Sequence, residues 1–458
     1  MSWAQDEMYT ADLGDSRLNA RLVSFLERLA ERPGNSIPAA CRGLSETVAG
    51  YRFLDNDKVT FEKVLQPHQD ATLQRIQSCP VVLLAQDTTE MDKAMNLGPK
   101  GMGTIKEHKK LCRRLHPTVA FTPERLCLGV VHAQWWGRDK ISPRQERRGK
   151  DITEKESQRW IDSYQTSCAL QGQAPQTLIV NLADAEGDLY EWFVDHHEFE
   201  HTTQAQWIVR AAQDRRLVEP VDTKLWSALS QAPALGSIEV EVKARPNQRA
   251  RMATVTLRAT TVTLRGPARK GYTLPDVSVN GVLAREEGAA EGVEPLEWLL
   301  LTSLPVATLE QARTVVEWYG ARWCIEVFFN VLKNGCQVSR LQLETEERLL
   351  PCIGLYLITT WRVLYSLMLG RTCPDLSCEV VFDSAEWQAV FIVVKRCQPP
   401  STAPCLGEMV ELVASLGGYM GRKHDGPPGP KTMWIGLQRM HDFVVALEAQ
   451  RALTQTCV

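Results

Sequence analysis

Two stretches of this chain are apolar without alternation, and each runs into an aspartate. Val81-Val82-Leu83-Leu84-Ala85 leads into Gln86-Asp87-Thr88-Thr89, and Thr177-Leu178-Ile179-Val180-Asn181-Leu182-Ala183 leads into Asp184. A strand solvated on one face alternates apolar and polar side chains. A short run without alternation fits a strand covered on both faces, as in the parallel sheets of α/β proteins. In open α/β sheets, ligands gather beyond the strand ends. A carboxylate there can hold a hard divalent cation through oxygen, or it can cap the turn that follows. Taken singly, capping is the simpler reading of either residue.

The rest of the chain divides around these strands. Residues 1–65 read as compact and helical. Leu13-Gly14-Asp15 precedes an apolar-periodic run through Leu18, Leu22, Phe25, Leu26 and Leu29, which Pro33-Gly34 ends. A second helical piece carries Glu46, Tyr51, Arg52 and Phe53. Residues 66–370 read as an α/β core. Within it, Thr118–Phe121 and Leu126–Trp136 resemble a hairpin turning at Pro123-Glu124-Arg125, a helix starts near Thr153, and Gln206–Arg210 is a third strand. A short helix is expected to begin near Asp188. From about 215 to 302 the pattern changes to short strands at Ser237–Lys243, Ala253–Arg258, Thr261–Leu264, Val277–Val282 and Trp298–Thr302, a β-rich insertion. A long helical pattern then runs from Leu309 through Lys333, and residues 371–458 are helical again.

At 44% hydrophobic and 23% charged residues the composition is that of a globular chain, not a disordered one. The N-terminus shows no signal-peptide pattern. The apolar stretch from Cys352 to Gly370, broken by Arg362, reads as a buried helix and not a membrane span. A cytoplasmic protein is expected, with no membrane partner. None of the 13 cysteines forms a Cys-x-x-Cys pair, so reduced, buried thiols are expected and a structural zinc is not. The net charge of −3 argues against nucleic acid, yet the charge is segregated. Residues 100–150 carry thirteen Lys/Arg against four Asp/Glu, and residues 243–270 carry eight Lys/Arg with no acid. Two such blocks suggest a surface for a polyanion.

On the long helical pattern, Tyr319, Arg322, Glu326 and Lys333 are spaced 3, 4 and 7 apart. On one continuous helix they fall within an arc of about 60°. Trp318, Trp323 and Phe329 crowd the same segment, which suggests that it is mostly covered. Two strand-end aspartates with a glutamate on a packed helix are the donor set of two-metal phosphoryl transfer. Arginine and lysine on the glutamate's face would grip phosphates.

These residues resemble one group of bacterial insertion-sequence transposases, the Tn-five-like DDE enzymes of IS-four type with a tyrosine–arginine–glutamate–lysine signature. Asp87-Thr88-Thr89 is similar to the group's first aspartate motif and Asp184-Ala185-Glu186-Gly187-Asp188 to its second. Leu13-Gly14-Asp15 with Arg17 and Arg21, Tyr51-Arg52-Phe53, Glu154-Lys155-Glu156-Ser157, Trp298-Leu299-Leu300-Leu301-Thr302-Ser303 and Leu416-Gly417-Gly418-Tyr419-Met420 add to the likeness in colinear order. The resemblance implies an α/β, ribonuclease-H-like mixed-sheet core with a β-rich insertion, flanked by an N-terminal domain that binds DNA ends and a C-terminal dimerisation domain. It implies Asp87, Asp184 and Glu326 as catalytic acids holding two Mg²⁺ ions, with Mn²⁺ as substitute. Tyr319, Arg322, Lys333 and Arg210 would contact DNA phosphates, Trp298 would stack on a flipped base, and Arg17, Arg21 and Arg52 would recognise the end. Two departures stand out: Ala185 replaces an arginine usual after the second aspartate, and Asn330 replaces a lysine. Asp188 is an alternative ligand to Asp184.

The function implied is cut-and-paste transposition: hydrolytic nicking, hairpin formation and opening, and joining to target DNA. The partners would be double-stranded terminal inverted repeats, target DNA and a second copy of the chain in the synaptic complex, at the nucleoid. The alternatives are an inactive, DNA-binding inhibitor of transposition and, more remotely, a carboxylate-pair glycosidase.

Overall fold

The computed structural model describes residues 2–91, 113–137, 152–198, 204–242, 251–269, 271–289, 292–343 and 345–456. In chain order its strands are β1 (Val81–Gln86), β2 (Thr89–Glu90), β3 (Arg113–Phe121), β4 (Cys127–Gly137), β5 (Leu178–Ala183), β6 (Gln206–Arg210), β7 (Ala234–Val242), β8 (Arg251–Leu264), β9 (Val277–Glu286) and β10 (Glu297–Thr302). The chain forms two compact units. One comprises residues 77–87 and 142–323, the other residues 1–76, 88–141 and 324–458.

The first unit is built on a mixed sheet in the order β1-β5-β6-β10-β9-β8-β7. Its centre is parallel, β1 with β5 and β5 with β6, and the strands from β10 to β7 are antiparallel. The two unalternating runs are the central parallel strands. Val82 to Gln86 and Ile179 to Ala183 are wholly buried because helices cover both faces. On one face lies the Gln158–Gln173 helix. On the other the Leu309–Ala321 helix packs Ala312, Val315, Val316 and Tyr319 onto Leu83, Val180, Leu182 and Ile208. That helix opens with a capping box, in which the Thr308 side chain receives Gln311 N–H and the Gln311 side chain returns to Thr308 N–H.

Of the five strands expected in the β-rich insertion, the last, Trp298–Thr302, is β10 and pairs with β6, which leaves β7 to β9 as the insertion, with one further correction. The two strands expected at Ala253–Arg258 and Thr261–Leu264 are a single 14-residue strand, β8. The polar residues between them did not break it because β9 pairs with it without interruption from Val255 to Leu264. The helix expected from Thr153 begins at Gln158, after a short 3₁₀ turn.

The second unit contains β2-β3-β4, antiparallel throughout, and helices from both ends of the chain. The expected hairpin is β3-β4, and Arg125 takes the positive φ that its tight turn requires. The N-terminal helices are Trp3–Glu7, Ser16–Glu31, Ile37–Ala40, Leu44–Leu54 and Phe61–Gln77. Glu346–Thr372 is the one helix among the described residues long and apolar enough to cross a membrane, and 89% of its apolar window is buried inside the protein. Its buried Thr359 and Thr360 return their hydroxyls to Leu355 and Tyr356 carbonyls, so they carry no unmet donor. The described cysteines are free thiols, as expected, but they are not all buried, since Cys373, Cys397 and Cys405 are exposed.

One ionic cluster ties the first helix to this unit's core. Glu7, 5% exposed, receives both outer nitrogens of Arg75, at 2.8 and 2.9 Å, and is hydrogen-bonded to His68 Nδ1. His68 Nε2 accepts Val130 N–H at 3.0 Å, so the ring is neutral and its proton sits on Nδ1. Burial favours that neutral imidazole by lowering its pKa. Burial alone would raise the Glu7 pKa, but the hydrogen bonds from His68 and Arg75 and the charge of Arg75 oppose it and hold the carboxyl below its usual range.

Glu7→Ala should therefore cost about 3–5 kcal/mol in a denaturant melt, because it removes the buried carboxylate that both Arg75 and His68 bond. The depressed carboxyl adds a pH signature. Its stabilisation is complete above the unfolded-state pKa near 4.5 and is lost as pH falls below it. Acid titration of wild type and Glu7→Ala should converge over that window; parallel curves would refute the assignment.

Candidate functional site

The register of the parallel pair decides where the two aspartates stand. Leu83 lies opposite Val180, Leu84 opposite Asn181 and Ala85 opposite Leu182. Two residues further on, that register sets Asp87 against Asp184, on strands about 4.8 Å apart. Side chains alternate along each strand, and Leu83, Val180 and Leu182 face the Leu309–Ala321 helix. Asp87 and Asp184 therefore project from that same face.

Asp184 also makes the cap that its sequence allowed. Its Oδ1 accepts Glu186 N–H at 2.8 Å and opens a 3₁₀ turn over Ala185–Gly187. Gly187 is required for that turn to lie flat, since a Cβ there would come within 2.6 Å of the Ala183 Cβ. Capping occupies one lone pair, and a carboxylate has about four. Capping and cation binding are thus compatible in one residue.

Asp188 is different. It does not sit in the first turn of the next helix, which starts at Tyr190. It is 2% exposed and accepts Ala212 N–H at 2.7 Å, Gln213 N–H at 2.9 Å and the Arg215 guanidinium. Asp188 anchors the loop that follows Arg210. Its partners lie more than twenty residues away, so no local pattern could reveal them.

Basic and aromatic side chains meet the aspartates in the same unit. Arg322 Nη1 donates to Asp87 Oδ2 at 3.2 Å, and both groups are mostly covered. The Arg322 guanidinium also lies 6.0 Å from the Tyr319 ring centre. Tyr319 is buried, which raises its phenol pKa; Arg322 and Arg210 oppose that rise and Asp184 adds to it. The net direction is upward, so the phenol keeps its proton and remains a donor. Trp298, half-buried near the start of β10, meets Tyr319 edge to face at 5.6 Å and 70°. Arg210 ends β6 opposite Leu300 and is exposed. Asp87, Asp184, Arg210, Trp298, Tyr319 and Arg322 thus collect where the parallel strands end.

Glu326 and Lys333 belong to the other unit, and the single helix expected to carry all four signature residues is interrupted. The ladder that starts at Leu309 stops at Ala321, where Arg322 N–H bonds the Tyr319 carbonyl three residues back at 3.0 Å. A new helix carries Glu326 over Cys324–Asn330, and Lys333 sits in a π-helical turn over Val331–Gly335. The 60° arc was reckoned for one continuous helix, and the helix is not continuous. Nor is the segment covered throughout, since Trp323 is 48% exposed. Among the described residues, no three His, Cys, Asp or Glu side chains stand close enough together to form a metal cage.

Arg17, Arg21 and Arg52 converge in the N-terminal part of the other unit. They line an open groove of about 1030 Å³ together with Lys58, Leu44 and Val48. Leu44 is 80% exposed. The last three were missed in the sequence, although Leu44, Val48 and Arg52 recur every four residues along the Leu44–Leu54 helix. The first basic block lies largely outside the described residues. In the second, Arg251 pairs with Glu286, Arg269 with Glu191, and Arg258 bonds the Ala232 carbonyl.

The Asp87–Arg322 pair joins residues 235 apart in the chain and can be tested alone. A double-mutant cycle of Asp87→Asn and Arg322→Gln, read by thermal or urea melts without divalent cation, should give a coupling of about 1 kcal/mol. Strict additivity would mean that the contact does not form in solution.

Comparison with known families accounts for most of the chain. A transposase DNA-binding model matches residues 1–59, a transposase DDE-domain model residues 132–358, and a transposase Tn5 dimerisation-domain model residues 358–457. Among solved structures, one match is to a cryo-EM structure of the piggyBac transposase synaptic complex with hairpin DNA, at 9% identity and a TM-score of 0.33. That match covers 70% of this chain and 54% of the other, so the chain spans about half the length of the solved relative. By its three matched domains in their order, the chain belongs to the Tn5-like DDE transposases.

Proposed function

We propose that the protein is a DNA transposase that cuts its element free and joins it to target DNA, with Asp87, Asp184 and Glu326 as its catalytic acids. The observation that carries this reading is the register of β1 and β5, which brings Asp87 and Asp184 side by side within reach of Arg322, Tyr319 and Arg210. Their carboxylate oxygens suit a hard cation better than a soft one. When bound, a pair of Mg²⁺ ions, with Mn²⁺ as substitute, would lower the pKa of the attacking water or hydroxyl and stabilise the leaving oxygen.

The chain's own groups do the remaining work. Arg322 and Arg210 offer planar guanidinia to phosphate oxygens, and Lys333 adds a point charge. Tyr319, kept protonated by burial, donates to phosphate and never competes for the cation as phenolate. Trp298 offers its face to a base turned out of the duplex. In the order of reaction, water nicks one strand, the freed 3′-hydroxyl attacks the opposite strand to close a hairpin, the hairpin is opened, and the end is joined to target DNA.

The division of labour follows the chain: residues 1–65 bind the terminal inverted repeats, 66–370 perform the chemistry, and 371–458 pair two copies so that two ends are held together. The groove of Arg17, Arg21 and Arg52 supports the first assignment. Phosphate contacts of this kind weaken steeply with salt.

Incubation with DNA of the flanking repeats and Mg²⁺, read on a denaturing gel, tests the reading. Wild type should release a nicked and then a hairpin product, and Glu326→Gln should bind the ends without nicking them. Nicking by Glu326→Gln near the wild-type rate would remove it from the catalytic set. Binding without cleavage by wild type would make the protein an end-occupying regulator.

Trp298 separates the two steps. Trp298→Ala should spare the nick but slow hairpin formation by a factor of roughly 5 to 150, the worth of about 1–3 kcal/mol of stacking. Equal loss of both products, together with a lowered melting temperature, would make Trp298 only a packing partner of Tyr319.

A further inference from the structure

Beneath the two aspartates, on the opposite face of the sheet, three wholly buried polar side chains form a continuous chain of hydrogen bonds. Gln86, 0% exposed, immediately precedes Asp87 and donates from Nε2 to Asn181 Oδ1 at 2.7 Å. Asn181, also 0% exposed and three residues before Asp184, donates from Nδ2 to Ser167 Oγ at 2.7 Å. Ser167 passes its hydroxyl proton to the Ser163 carbonyl at 2.9 Å, inside the Gln158–Gln173 helix. Strands β1 and β5 and that helix are thus joined by side chains as well as by packing.

Apolar side chains of the same shape would fill this position without polar groups to satisfy. A buried amide that loses its partner is costly, so a satisfied network admits one arrangement of the three elements and penalises its neighbours. A slip of one residue between β1 and β5 would turn Gln86 toward the apolar cluster and Asp87 toward the helix beneath. The network is therefore specific for the alignment that sets Asp87 against Asp184.

We propose that Gln86, Asn181 and Ser167 are positioning residues that fix the spacing of the Asp87 and Asp184 carboxylates and so set the pair's affinity for a divalent cation. The proposal rests on Asp87 and Asp184 being cation ligands, and the test separates the two ideas. It needs no DNA and no turnover: the melting temperature of the full chain is followed as Mg²⁺ or Mn²⁺ is added, since a ligand that binds only the folded state raises it.

The informative variant is Gln86→Met with Asn181→Leu, which replaces both partners by apolar groups of similar size. Such paired replacement can be nearly neutral for stability, so the cation-free melt should stay close to wild type. The cation concentration giving half of the full stabilisation should rise about fivefold, the worth of one net hydrogen bond. Ser167→Ala, a smaller lesion that carries the same test if the double variant does not fold, should raise it about twofold to threefold, and Ser167→Thr, which keeps the hydroxyl, should restore it. Asp184→Asn is the control for the ligand reading and should abolish the response. An unchanged half-point in the folded double variant or in Ser167→Ala, with Asp184→Asn unresponsive, overturns the positioning role alone. A wild type without cation stabilisation, or an Asp184→Asn that keeps it, overturns both.

Discussion

The site depends on one backbone fact, the parallel ladder between β1 and β5. Its hydrogen bonds are indifferent to side chains, but its register is not. Because successive residues point to opposite faces, the register that buries Leu83, Val180 and Leu182 also sends both aspartates toward the Leu309–Ala321 helix. The apolar cluster supplies the free energy and the aspartates follow its alignment. Arg322 then finds Asp87 because its helix lies on that face, and Tyr319 finds Asp184, Arg210 and Trp298 for the same reason.

That dependence explains what could be read from the sequence. The unalternating runs marked the central strands, the terminal acids marked the strand ends, and the β3-β4 hairpin followed from its turn. Each is a local pattern with a local cause. The continuity of β8 was not legible, since it is imposed by β9. The break after Ala321 was passed over although Gly320 stands beside it; a single glycine is often tolerated inside a helix, and here the interruption shows in Arg322 N–H meeting the Tyr319 carbonyl three residues back. Asp188 read as an alternative ligand and Gln86 as an ordinary polar residue. Their roles reside in partners twenty-four to ninety-five positions away.

Charge was legible in the sequence only as a regional sum. The basic block around Arg251 suggested a surface for nucleic acid, yet Arg251 and Arg269 are held by Glu286 and Glu191 within the protein. The cations proposed to meet phosphate are scattered singly along the sequence. Arg210 ends a strand, Arg322 ends a helix, and Arg17, Arg21 and Arg52 meet only when two helices fold together. The third dimension concentrates positive potential that a running sum over the sequence cannot detect.

The position of the insertion in the sheet has an evolutionary corollary. β10 returns to pair directly with β6, Leu300 against Arg210, so the strands that carry Trp298 and Arg210 touch without the insertion between them. Of the inserted strands only β9 borders β10, while β7 and β8 lie farther out. Yet that outer hairpin is not expendable, because Ala253, Val255 and Leu257 of β8 are buried in the same apolar cluster as Leu83, Val180 and the Leu309–Ala321 helix. Of its two faces, only the one turned to solvent, with Met252 and Thr254, is free to drift.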